Sequence, residues 1–141
     1  MQLLLSQSSL HLSLLFETRN LLALMNKQFI SVSFLGFYLD CLRSESNSIQ
    51  ITGCRQLGAV CSYLSKEEIL ELVAEVRQVD RFCEGFRRAL AEQLMQLPAL
   101  LGKRTTTEAL VSLFLALLKD QEVAVRIELL NHMQGFIEVL R

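Results

Sequence analysis

From Leu110 to Leu140 the chain reads as two amphipathic helices in succession, and no other stretch constrains the fold as much. Leu110, Leu113, Phe114, Leu117 and Leu118 fall at i, i+3, i+4, i+7 and i+8, one apolar face of an α-helix. After the polar break Lys119 to Glu122 the period returns in Leu129, Leu130, Met133, Phe136, Ile137 and Leu140. Two such helices joined by a few residues make a helical hairpin. Neither can bury its stripe alone, so the hairpin needs its partner and neighbours on both sides, as a unit of a stacked array does.

The same pattern recurs upstream. Aligning Val125-Arg126 with Phe86-Arg87 and Ile49-Gln50 gives copies 39 and 37 residues apart. Stepping on by three, four, seven and ten residues reaches Leu129, Leu130, Met133 and Phe136 in the last copy. The middle copy gives Leu90, Ala91, Leu94 and Leu97, and the first gives Gly53, Cys54, Leu57 and Val60. Small or apolar residues fill every position. A two-helix period of about forty residues is that of HEAT and armadillo repeats. The expected fold is therefore all-α, a HEAT-repeat α-solenoid of antiparallel helical hairpins in a right-handed stack.

Four segments follow: a divergent helical or irregular stretch at 1–28, and repeats at 29–64, 65–102 and 105–141. In the first, MQLLLSQSSLHLSLLF has no Lys or Arg ahead of its apolar run and is interrupted by serines and His11. It makes a poor signal peptide and is too short and polar to span a bilayer, with a signal anchor as the competing reading. Phe34, Phe37, Tyr38, Cys41 and Leu42 predict a helix over about 29–42, stopped by the polar run Arg43 to Ser48. The next helix runs from Ile49 to Leu64. Ser65-Lys-Glu-Glu68 has the form of a capping box and predicts a helix from Lys66, with Ile69, Leu72, Val73 and Val76 on its apolar face. Its partner carries Phe86, Leu90, Leu94, Leu97 and Leu101; Pro98 should kink the final turn and Gly102 end it. Thr105-Thr-Thr-Glu108 is a second candidate capping box.

Composition narrows the function class. With 51% hydrophobic residues and a single proline, the chain has ample material for a helical core. The net charge of -1 argues against general attraction to nucleic acid or to an anionic membrane, so neither is an expected partner. Cys41, Cys54, Cys61 and Cys83 form no CxxC pair, and three lie on helical apolar positions. They read as reduced core residues of an intracellular protein.

A narrower likeness rests on SIQITGCRQLGAVCSYLSKEEILELVAEVRQ, FRRALAEQLMQLPALLGK and LVSLFLALLKDQEVAVR. From about Ile30 to Leu140 the chain resembles the scaffolding A subunit, the large regulatory subunit, of type-2A serine/threonine protein phosphatase. That family shows the Val-Arg helix start, an alanine-rich inner helix, a short polar turn and Lys-Asp before the next Val-Arg. The resemblance implies a non-catalytic scaffold that holds a phosphatase catalytic subunit and a variable regulatory subunit through its intra-repeat turns, with the regulatory subunit the nearer contact. It implies a cytoplasmic location, with the nucleus as a second compartment. Asp120 and Arg126 resemble the Asp and Arg that in HEAT repeats link neighbouring turns in a ladder, which Arg87 would join. The first copy departs from this with Ser44 and Gln50, and the second with Arg81 where the aspartate belongs.

By the same resemblance the turns Arg43 to Ser48, Asp80 to Gly85 and Lys119 to Glu122 are offered to partners, with Arg81, Phe82, Glu84, Asp120, Gln121 and Glu122 as contact residues. Phe82 has a second reading, as a cap on its own hairpin core. Arg77, Arg81, Arg87 and Arg88 form a loose basic cluster, read as a solvated rim or as a docking site for an acidic surface. Glu67, Glu68 and Glu71 suit the positive end of a helix better than acid–base work. No glycine-rich phosphate loop, H-E-x-x-H or G-x-S-x-G occurs, and His11 and His132 stand alone, so no catalytic, metal or cofactor residues are expected. Two rivals remain: a HEAT-type adaptor of another system, in nuclear transport or type-4 phosphatase regulation, and a non-solenoid helical domain with a hidden catalytic site.

Overall fold

Three helix starts among the described residues fall where a side chain, of Asn26, Ser46 or Ser65, satisfies an amide that the helix end leaves free. The computed structural model describes residues 10–141; expectations for 1–9, including the leader reading, lie outside the described residues. Over this span the protein is all-helical, with no strand among the described residues. Helix α1 covers 10–16 and α2 covers Thr18–Leu24. Then α3 (Lys27–Phe29) passes through a π-helical turn at Ile30–Phe34 into α4 (Leu35–Leu42). Asn26 opens this rod, its side chain accepting from the Phe29 amide at 2.8 Å.

Ser46 caps α5 (Asn47–Arg55) in the same way, and α6 (Leu57–Cys61) follows. Helix α7 (Lys66–Val76) starts at a complete capping box: the Ser65 hydroxyl accepts from the Glu68 amide at 3.3 Å, and the Glu68 carboxylate from the Ser65 amide at 3.0 Å. A 3-10 turn at Val79–Arg81 leads to α8 (Glu84–Leu94), followed by α9 (Pro98–Ala109), α10 (Val111–Leu118), α11 (Val123–Asn131) and α12 (Gln134–Leu140).

Three expected boundaries move. The helix read over 49–64 is broken at Gln56, where φ of -96° and ψ of 0° leave the α region and divide α5 from α6. Pro98 kinks nothing. It is the first residue of α9, where no amide is needed and its fixed φ already suits a helix. Gly102 does interrupt the helix, with φ of 81° and ψ of 170°, in the left-handed half of φ space that glycine enters without steric cost. The chain is helical again from Lys103, so Thr105 to Glu108 lie inside the first turns and form no capping box. Thr107 instead donates to the Lys103 carbonyl, Glu108 pairs with Arg104, and the Thr106 hydroxyl is buried without a partner.

Apolar periodicity decides what packs on what. Helix α8 is buried through Phe86, Ala89, Leu90, Ala91 and Leu94, a wide stripe, and it lies against both α5 and α11. Helix α4 packs on α5 and α7, and α9 on α7 and α12. One continuous core runs through these elements, with Tyr38, Leu57, Ile69, Leu72, Phe86 and Leu90 fully buried. Each such leucine contributes about 1.5–3 kcal/mol relative to exposure. The one tyrosine in this group satisfies its hydroxyl by donating to the Gly53 carbonyl.

Candidate partner-binding edge

Each of the three connecting turns is held by the helix that follows it. Gln50 Nε2 donates to the Leu42 carbonyl at 2.9 Å, Arg87 Nη1 to the Phe82 carbonyl at 2.8 Å, and Arg126 Nη1 to the Asp120 carbonyl. These residues are the three anchors that align in the sequence copies. One register position therefore performs one task three times: a long donor side chain folds back and satisfies a carbonyl in, or directly before, the turn that precedes its helix.

Further contacts run from turn to turn. Arg43, at the first turn, pairs with Glu75 near the end of α7, beside the second turn. Arg87 reaches the third turn, donating from Nε to Asp120 Oδ2 at 2.7 Å and from Nη2 to Oδ1 at 3.3 Å. That two-pronged geometry matches a guanidinium to a carboxylate. The pair is partly buried, with side chains 18% and 6% exposed for Arg87 and Asp120. Asp120 also accepts from the Glu122 amide at 3.0 Å. Burial pushes the Asp120 carboxyl up, but the Arg87 hydrogen bonds, the Glu122 amide and the charges of Arg87 and Arg126 outweigh it and hold the group below the ordinary aspartate value. The Arg87 guanidinium is correspondingly pushed above its usual value, first by its hydrogen bond to Asp120.

The expected contact residues divide. Arg81, Glu84, Gln121 and Glu122 are exposed in or beside the second and third turns. Asp120 is committed to Arg87 and offers little free surface. Phe82 is corrected: it is no exposed anchor, being 6% exposed with its ring stacked on Phe86 at a centroid distance of 4.0 Å. The apolar area of two rings is worth more against each other than in water, which draws the turn inward. Arg81 lies over the outer side of this stack, its guanidinium carbon 5.8 Å from the Phe82 centroid. The basic cluster does not act as a unit, since Arg87 is taken by Asp120 while Arg77, Arg81 and Arg88 stay exposed.

Two members of this edge escaped sequence reasoning. Gln50 aligned with the arginines but registered only as a lost charge, although an amide donates to a carbonyl as well as a guanidinium does. The Arg43–Glu75 pair joins residues 32 apart and leaves no local signature.

Elsewhere the side chains serve packing. Cys41, Cys54 and Cys61 are buried and unpaired, and burial pushes the Cys41 and Cys61 thiols up to about 11 and about 12. They remain protonated at neutral pH and are poor nucleophiles. His132 faces Glu128 one helical turn away, and His11 packs edge-on to Phe37. Among the described residues no group of three or more His, Cys, Asp or Glu side chains converges as a metal site, and no helix is long and apolar enough to cross a membrane. A shallow polar groove of ≈ 200 Å³ crosses α5, α8 and α11, lined by Arg55, Gly85, Arg88, Glu92 and Glu128. Set against known proteins, the chain matches no family model and no curated protein sequence.

Proposed function

We propose that this protein is a non-catalytic scaffold of the HEAT-repeat type, whose helical hairpins stack and present their turns as one binding edge. By its resemblance to the scaffolding A subunit of type-2A phosphatase, the partners are a phosphatase catalytic subunit and a variable regulatory subunit, in the cytoplasm and the nucleus. The observation that carries the reading is the threefold use of one register position, Gln50, Arg87 and Arg126, with Arg87 reaching on to Asp120 in the next turn. A helical domain without repeats has no reason to place equivalent donors at three equivalent turns. An edge tied in this way is a rigid, polar surface, on which binding energy is not lost to loop ordering.

The contact set is Arg81, Glu84, Gln121 and Glu122, all exposed, while Asp120 and Arg87 hold the edge in shape. The test is direct binding of purified type-2A catalytic subunit, with and without a purified regulatory subunit, to the immobilised chain. Binding that falls about tenfold, or about 1.4 kcal/mol, on replacing Gln121 and Glu122 together by alanine supports the reading. Absence of binding, or equal affinity in the variant and the parent, overturns it. Recovery of transport factors without phosphatase in affinity capture points instead to a HEAT-type adaptor of another system.

A further inference from the structure

Helix α8 has a neighbour on each side, α5 and α11, and still leaves one face open to solvent. The shallow groove of ≈ 200 Å³ lies along that face, so it belongs to the middle of the packed helices and to no end of the chain. Its α5 side is set by a close approach. A Cβ on Gly85 would lie 2.8 Å from Ile51 Cδ1, so the missing side chain lets the isoleucine lie over the α8 backbone. Arg55 stands one helical turn beyond Ile51, and Arg88 one turn beyond Gly85. Two guanidinium groups from two helices are thereby brought to one groove.

Both arginines are exposed, and neither pairs with a carboxylate among the described residues. Glu92, one turn beyond Arg88 on α8, is also exposed and unpaired among them. Glu128 enters the groove from α11 and meets His132. Cations therefore stand on the α5 side and carboxylates toward the α11 side. A nucleic-acid backbone would be repelled by Glu92 and Glu128 where it is attracted by the arginines, so the fitting ligand carries both signs of charge.

We propose that this groove binds a segment of a partner protein that crosses α5, α8 and α11 in polyproline II conformation, with an acidic residue held by Arg55 and Arg88 and a basic residue three positions away held by Glu92 and Glu128. The spacing follows from the helices. Neighbouring helix axes lie about 8–10 Å apart, and a polyproline II chain rises about 9 Å in three residues, returning every third side chain to the same side. A β-strand would turn the residue at the third position away from the groove. Two guanidinium groups can grip one carboxylate from both sides, which fixes the register of the segment. The inference goes beyond the phosphatase reading and uses none of its contact residues.

Fluorescence anisotropy of the full chain with the dye-labelled peptide Ser-Glu-Pro-Pro-Lys-Ser tests it. The reversed sequence is run beside it, because the four charges fix spacing and not chain direction. One of the two should bind saturably, and the same peptide with a single proline should bind about tenfold more weakly. The Arg55→Glu, Arg88→Glu double variant should lose binding at least tenfold and regain affinity for the peptide whose glutamate is replaced by lysine, which also shows that the variant is folded. Replacing Gln121 and Glu122 by alanine should leave peptide binding unchanged, so failure at the turn edge and failure at the groove are separable. The proposal is overturned if neither peptide binds, if the double variant binds as the parent does, or if its loss is not recovered by the lysine peptide. Equal affinity for the one-proline peptide overturns it too, since unspecific charge attraction would then suffice, as does loss of binding in the Gln121 and Glu122 variant.

Discussion

The junction of α5 and α6 with α8, and the junction of α8 with α11 and the turn before it, the earlier and the later junction under the proposed stacked-hairpin reading, solve one packing problem by different means. At the later one Arg87 and Asp120 form a partly buried, two-pronged ion pair between turns. At the earlier one no such pair occurs among the described residues: Gln50 holds its own turn, and Arg43–Glu75 is a surface contact with the arginine side chain 53% exposed. Close approach replaces charge there. Gln93 Oε1, on α8, accepts from the Gly58 amide at 2.9 Å, and a Cβ on Gly58 would lie 2.0 Å from Gln96 Oε1 and 3.0 Å from Gln93 Oε1. Helix α6 comes near enough for a buried glutamine to bond its backbone because residue 58 has no side chain. Under the proposed reading, an array of related hairpins would lose its charge ladder at this step and keep its packing because the backbones meet.

Perturbations of α8 should break both junctions, because it packs on α5 and α11 alike. Phe86→Ala removes a fully buried ring that stacks on Phe82 and should cost about 3–5 kcal/mol in urea unfolding, the largest effect expected. Arg87→Ala acts on the later junction alone. It leaves Asp120 nearly buried and unpaired and frees the Phe82 carbonyl, for a loss of about 3 kcal/mol. Arg87→Lys should recover part of this, since an ammonium cannot make both prongs. Gly58→Ala acts on the earlier junction alone and should cost about 1–2 kcal/mol, because the obstructing atoms are ends of glutamine side chains that can move at the expense of a buried hydrogen bond. Arg43→Ala should leave the unfolding midpoint unchanged, as an exposed pair contributes little.

Acid weighs more on the later junction: Glu75 at the earlier one is also held below its ordinary value, first by its hydrogen bond from Arg43, but that pair is exposed and contributes little. The Asp120 carboxyl is held below its ordinary value in the folded protein, so its stabilisation is complete above the unfolded pKa of about 3.9 and is lost as pH falls through the lower folded value. Unfolding midpoints should therefore drop on acidification below about pH 4 in the parent, and drop less in Asp120→Asn.

Much of the fold was legible because its determinants are local. The capping box at Ser65 and Glu68 needs four consecutive residues, and the polar run after Leu42 stops a helix whatever surrounds it. The register of Gln50, Arg87 and Arg126 was visible as hydrophobic spacing, although their shared task was not, since a carbonyl acceptor leaves no trace in a side-chain pattern. The break at Gln56 has no proline or glycine at the position itself; α6 there redirects to pack on α2 and α8, a tertiary demand. Thr105 to Glu108 misled because a capping box describes a helix start, and Gly102 had already placed the start earlier. Phe82 was open to two readings, and the ring four residues on decided between them. Of the binding edge, the exposed turn residues were foreseeable from polarity, whereas the Arg43–Glu75 contact was not.

The most direct measurement is a double-mutant cycle on Arg87→Ala and Asp120→Ala, read by urea unfolding of the whole chain. Hairpins tied turn to turn require a coupling above about 1 kcal/mol, with the double variant losing clearly less than the sum of the singles. Strictly additive losses would mean that the two side chains do not meet, and that the turns are not held as one edge.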